Sequence, residues 1–240
     1  MSRFRQMSNI PGCFNIGESD FAYHGANRLG ANSLLSCIFA GLVVGQEIPR
    51  YIDTLQKNSD GISSRIYDEA LGREEENKRE LMGRSGAENV HKLHEELGNA
   101  MISNVMIKRN NNDLKNNIDK IKQLKERFMH ISLDDRSTFA NQTYIFANQF
   151  GPMLDLAMIM TKGALLRNES RGAHFKQKWP KRDDTHWLKT TVAATADEEP
   201  IISYRDVDTR HFKVGERSYK EAKRGAPPVN NVPANVVLPI

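Results

Sequence analysis

Apolar positions recur at helical spacing over most of this chain. Leu34, Leu35, Ile38, Phe39, Leu42, Val43 and Ile48 predict a helix buried nearly all round, with Pro49 near its end. Val90, Leu93, Leu97, Met101 and Val105 mark a second stripe, and Leu114, Ile118, Ile121, Leu124 and Phe128 a third. Between them Asn110-Asn111-Asn112 and Asp113 break one helix and cap the next. Asp134-Asp135 precede a further helix carrying Phe139, Ile145, Phe146, Leu154, Met158 and Leu165, which Gly151-Pro152 should kink or interrupt. The methionines here fill core gaps rather than form a ligand set. These stripes predict a bundle of three or more antiparallel helices. Residues 56–66 read as a polar linker. Glu74, Glu75, Lys78 and Arg79 read as i,i+4 pairs on a solvated face. Strand-like alternation is brief: Cys13-Phe14-Asn15-Ile16 reads as a short buried strand, and 189–194 with 201–207 as a hairpin. Residues 225–240, rich in Pro, Asn and Val, are expected to be disordered. The class is mainly α.

Composition narrows the roles. The chain has 240 residues, 39% hydrophobic and 27% charged, with net charge +4. That excess is modest and spread out, and no basic run is interleaved with aromatics, so no nucleic-acid partner is expected. Cys13 and Cys37 are the only cysteines. Both read as buried free thiols in a reducing compartment, and two cannot build an iron–sulfur site alone. The longest apolar run, 34–45, falls short of the ~20 residues that cross a bilayer. No signal peptide is read at the N-terminus. His91 and His94, with Glu95, lack the spacing of zinc peptidases and read as a solvated helix face, so no metal is expected. His130, His186 and His211 carry no signal.

The densest chemistry lies in His24-Gly25-Ala26-Asn27-Arg28-Leu29-Gly30-Ala31-Asn32-Ser33-Leu34-Leu35. Gly25 and Gly30 allow positive φ and close backbone approach. Asn32 and Ser33 are good caps for the apolar helix that follows, whose start binds anions through free N–H groups and the dipole. Arg28 adds a fixed charge whose planar fork fits a carboxylate, and His24 can donate or accept nearby. Glu18, after Gly17, stands where a strand end meets a crevice and suits ribityl or ribose hydroxyls. The same residues also fit a plain surface turn. Arg167, Glu169, Arg171, Asp183 and Asp184 read either as a salt-bridged corner or as a partner interface.

Pro11-Gly12-Cys13-Phe14-Asn15-Ile16-Gly17-Glu18, the 24–35 stretch, Arg167-Asn168-Glu169-Ser170-Arg171-Gly172-Ala173-His174 and Pro180-Lys181-Arg182-Asp183-Asp184 together resemble the flavoprotein subunit of succinate dehydrogenase and fumarate reductase. The resemblance covers roughly residues 9–220. L-aspartate oxidases are similar but tend to read Arg-Leu-Ala-Ser-Asn-Ser where this chain has residues 28–33. The resemblance implies that Arg28, with His24, holds one carboxylate of succinate or fumarate. It implies that Glu18, Asn32, Ser33 and Leu34 contact FAD, and that hydride passes between the dicarboxylate and flavin N5. Electrons then leave through an iron–sulfur subunit and a membrane anchor subunit to quinone, on a peripheral complex at the cytoplasmic face of the bacterial inner membrane. The implied architecture is the end of an FAD-binding α/β domain over 1–55, the helical bundle over 56–175, an extension with the hairpin over 176–224, and the tail over 225–240. No Gly-x-Gly-x-x-Gly or preceding βαβ unit is present to cradle a pyrophosphate, and the helix over 34–48, which closes the cofactor domain in the family, is expected to lack its sheet here and to expose apolar area. The family's flavin-linking histidine, proton-shuttling arginine and capping domain have no counterpart either, so no catalytic residue is expected here. The chain is therefore expected to be a C-terminal portion that alone neither binds FAD tightly nor turns over succinate. A non-catalytic helical module docking an iron–sulfur partner, or an L-aspartate oxidase fragment, are the alternatives.

Overall fold

The computed structural model describes residues 4–20, 24–28, 30, 32–57, 59–196, 199–210 and 214–215. Its elements are α1 (Asn32–Ile52), α2 (Ser64–Gly83), α3 (Val90–Val105), β1 (Lys108–Arg109), α4 (Asn111–Phe128), α5 (Gln142–Leu166), β2 (Phe175–Lys176), α6 (Asp184–Trp187), β3 (Lys189–Ala194) and β4 (Ile201–Asp206). Residues 1–205 and 206–240 form separate units. In the second, Asp208 pairs with Arg210 at 2.7 Å.

The core lies between α3, α4 and α5, which pack on one another, with α2 against α5. Leu93, Leu97, Ile118, Ile121, Leu124, Phe150, Leu154 and Met158 meet there. One buried polar pair crosses it, Asn117 donating to Thr161 at 3.0 Å. Among the described residues, side-chain caps set four helix starts: Asn89 accepts from the amides of His91 and Lys92, Asn110 from that of Asp113, Asn141 from that of Tyr144, and Asp183 from those of Thr185 and His186. Arg127 of α4 reaches Glu96 of α3 and Glu88 before it, both at 2.7 Å. The two arginine and lysine partners of Glu96 hold its carboxyl down to about 2.

Several expectations are corrected. Gly151-Pro152 does not interrupt α5, which runs as one helix through both residues. Pro152 stands on the exposed side, as does Asn148, whose carbonyl loses its helical donor, while buried Phe150 and Leu154 hold the helix on either side. Phe139 lies before α5 and is 88% exposed; the helix waits for the Asn141 cap. Arg79 turns to Glu76 rather than Glu75. Residues 13–16 form no buried strand; a single bridge joins Met7 to Phe14. Cys13 is exposed and Cys37 half-buried, both free. α1 is not buried all round: Ala40, Val44 and Glu47 are covered, whereas Leu34, Leu35, Ile38, Phe39 and Leu42 are exposed, the apolar area expected of this helix without its sheet. The covered side meets the 4–15 segment, where Phe4 and Phe14 set their edges on Tyr51 and Glu47 binds Arg50 at 2.8 Å. The expected tail, 225–240, and His211 lie outside the described residues.

β1 and β2 pair in parallel, Lys108 with Phe175 and Arg109 with Lys176. This ladder draws the 167–184 segment onto the corner between α3 and α4. β3 and β4 pair in their own two-stranded sheet.

Candidate functional site

A concavity of about 410 Å³ opens at the start of α1, lined by Gly17, Glu18, His24, Asn27, Arg28, Ser33 and Ser36. Four residues singled out from the sequence come together there: Glu18, His24, Arg28 and Ser33. Asn32 and Leu34 are exposed and do not line it. Both Asn32 and Ser33 lie in the first turn of α1 rather than capping it. Ser36 was not anticipated, although it stands one turn after Ser33 and so shares its face.

Local geometry explains the convergence. Gly17 is buried at φ +71°, and a Cβ there would lie 2.9 Å from the Cys37 Sγ. The short 3-10 turn Gly17–Ser19 thus seats directly on α1 and delivers Glu18 to its N-terminal end. Gly25 holds φ +66°, with nothing within 4 Å of a Cβ placed on it, and Gly30 is equally open. The backbone of this turn is therefore bare on its outer side, as close ligand approach requires. Ser36 Oγ donates to the Ser33 carbonyl at 2.7 Å and lies 3.4 Å from His24 Nε2.

Arg28 donates to Glu18 at 3.0 Å, with the two side chains 42% and 80% exposed. An exposed pair of this kind contributes about 1 kcal/mol or less. The guanidinium is thus presented in the concavity by a partner that an incoming carboxylate displaces at little cost. The open glycines, the fixed cation, the first turn of α1 and its bare apolar side fit one edge of a flat anionic cofactor and a carboxylate beside it.

A second cluster lies at the end of α5. Glu169, fully buried, accepts from Arg167, from Arg171 at 2.9 Å and from the Asp183 amide at 3.0 Å. Asp184 joins Arg171 at 2.6 Å and Arg182 at 2.8 Å. Of the mixed charges singled out from the sequence, Arg167, Glu169, Arg171 and Asp184 are therefore tied to one another, whereas the Asp183 carboxylate turns to His186 at 2.8 Å. Lys176 is fully buried and donates to the carbonyls of Ala164, Leu165 and Arg167 and to the Asn168 side chain. It closes the free carbonyl end of α5 with a cation. Burial, then the Arg109 charge, brings its pKa down to about 8. His174 Nδ1 lies 2.6 Å from Arg109 and its Nε2 lies 3.1 Å from the Arg167 carbonyl. Arg109 can only donate and a carbonyl can only accept, so the ring is neutral with its proton on Nε2. Burial, then the Arg109 charge, depresses its pKa to about 4. Among the described residues no group of His, Cys, Asp and Glu could hold a metal ion, and no helix is long and apolar enough to cross a membrane.

The fumarate reductase flavoprotein C-terminal family matches residues 94–219. The succinate dehydrogenase flavoprotein subunit of Bacillus subtilis is 44% identical over 222 residues, covering 92% of this chain and 38% of the relative. The fumarate reductase flavoprotein subunit of Proteus vulgaris is 34% identical over 220 residues, covering 90% of this chain and 36% of the relative. A solved quinol-fumarate reductase with menaquinol molecules superposes with TM-score 0.77 at 33% identity, covering 85% of this chain and 35% of that one. The chain thus spans little more than a third of the length of these relatives.

Proposed function

Because the chain belongs to the succinate dehydrogenase and fumarate reductase flavoprotein family, we propose that it supplies the carboxylate-gripping edge of an enzyme interconverting succinate and fumarate. Residues 1–55 end the FAD-binding domain, 56–175 form the helical domain and 176–224 its extension. FAD, when bound, supplies the hydride acceptor or donor. Glu18, with Asn32, Ser33 and Leu34 at the head of α1, holds one edge of it. Arg28 receives one carboxylate of the dicarboxylate in its planar fork and so fixes the substrate's orientation. His24, steadied by Ser36, adds a hydrogen bond to the same anion. Arg28, paired with Glu18, is assigned the grip on the carboxylate and no part in the acid–base step. An iron–sulfur subunit, and through it a membrane anchor subunit, receives the electrons, which sets the complex peripherally on the cytoplasmic face of the membrane.

One observation carries this reading: Arg28 stands in a concavity with Glu18, His24 and Ser33 at the head of α1. The test is a chimera in which this chain replaces the matching stretch of the Bacillus subtilis subunit, assayed by succinate-dependent dye reduction. Arg28→Ala is expected to lower kcat/KM by about a hundredfold or more, as loss of a charge-assisted bidentate contact does. Arg28→Lys is expected to recover little, because the fork is gone. Full activity in Arg28→Ala removes Arg28 from the site.

A further inference from the structure

The turn that carries Arg28 is met by a second turn from far along the chain. Arg171 and His174 exchange backbone hydrogen bonds of 2.8 and 2.9 Å, and Gly172 stands between them at φ +58°. A Cβ on Gly172 would lie 2.3 Å from the Ala26 carbonyl oxygen, 2.6 Å from that carbonyl carbon and 2.9 Å from the Ala26 Cβ. Two of these are backbone atoms, which cannot swing aside as a side-chain tip does. A bare Cα is what lets the 171–174 turn seat against Ala26, two residues before Arg28.

The 171–174 turn is itself rigidly held. Arg171 is bound by buried Glu169 and by Asp184. His174 is caught between Arg109 and the Arg167 carbonyl, and Lys176 ties the next residues to the end of α5. The Arg28 turn has no comparable support in its own ion pair, which is exposed on both sides.

We propose that Gly172 is a positioning residue for Arg28: the 171–174 turn is a fixed stop for the 25–28 turn, through which the helical core sets where the guanidinium stands. This rests on the reading of Arg28 as the carboxylate grip. Removing the stop leaves the fork intact but misplaces it, so substrate binding suffers more than turnover.

Two measurements test it. In the isotope-labelled chain alone, Gly172→Ala is expected to shift the amide resonances of Ala26, Asn27 and Arg28 while those of α4 stay in place. In the chimera, the same variant is expected to raise KM for succinate about tenfold, with kcat changed less than about twofold. Gly172→Asn tolerates positive φ yet keeps the offending Cβ, so it gives the same readouts should the alanine variant fail to fold. Unshifted amides at 26–28 overturn the proposal. So does an unchanged KM where Arg28→Ala raises it. An unchanged KM in both variants overturns the role of Arg28, and the proposal with it.

Discussion

His174 is kept neutral by what surrounds it, and this has a consequence for pH. Its folded pKa, about 4, lies below the ordinary 6.5, so the unfolded chain binds the extra proton first. The stability it contributes is complete above about 6.5 and declines as pH falls towards about 4. Thermal unfolding followed across that window should show the decline, and His174→Gln should flatten it because an amide does not titrate. At this scale Glu18, His24, Arg28 and Ser33 were legible because they lie close in sequence, and one glycine turn and one helix start suffice to gather them. Gly172 was legible only as part of a motif. Its partner, Ala26, sits most of the chain away, and no local propensity encodes that contact. The exposure of Cys13 was misread for a related reason: an apolar neighbourhood in sequence does not cover a side chain unless another element packs there.

The helices show where periodicity suffices and where it does not. α3 and α4 were readable because their apolar stripes coincide with the faces that meet in the core, and because Asn110 is both a break and a cap. Ile121, with no exposed surface, touches this core; Ile121→Ala is expected to cost about 2–5 kcal/mol in urea unfolding. Pro152 misled because a proline on the solvent side leaves its orphaned carbonyl to water, and the packed side decides whether the helix continues. Gly86 has no signature at all in the sequence. A Cβ on it would meet the His130 carbonyl oxygen at 1.8 Å, where the 86–88 and 130–132 segments hydrogen-bond. Gly86→Ala is expected to destabilise by about 1–3 kcal/mol or more, read from the same unfolding curves.

At the scale of the whole molecule, the apolar side of α1 is left uncovered. Its residues form one stripe, with Leu35, Phe39 and Leu42 each more than half exposed. Stripes this large promote association of the chain on its own. Replacing Phe39 and Leu42 by Glu is expected to reduce aggregation in sedimentation without lowering the unfolding temperature, since neither side chain is packed. Spacing alone reads as burial, because it reports what a helix can bury and not whether anything covers it; the resemblance, which leaves this helix without its sheet, anticipates the exposure. The same bareness bears on the cofactor: with no Gly-x-Gly-x-x-Gly in its sequence, the purified chain is expected to bind flavin only weakly, and a tight complex in titration calorimetry would count against the division of labour proposed above.

Lys176, sealed against the end of α5, also affects how the folded chain resists digestion. Trypsin needs an extended segment with an accessible basic side chain, and Lys176 offers none while Lys178, two residues on, is exposed. Brief digestion should cut after Lys178 well before it cuts after Lys176. The delay between those two fragments measures how often the α5 terminus lets its ammonium plug go.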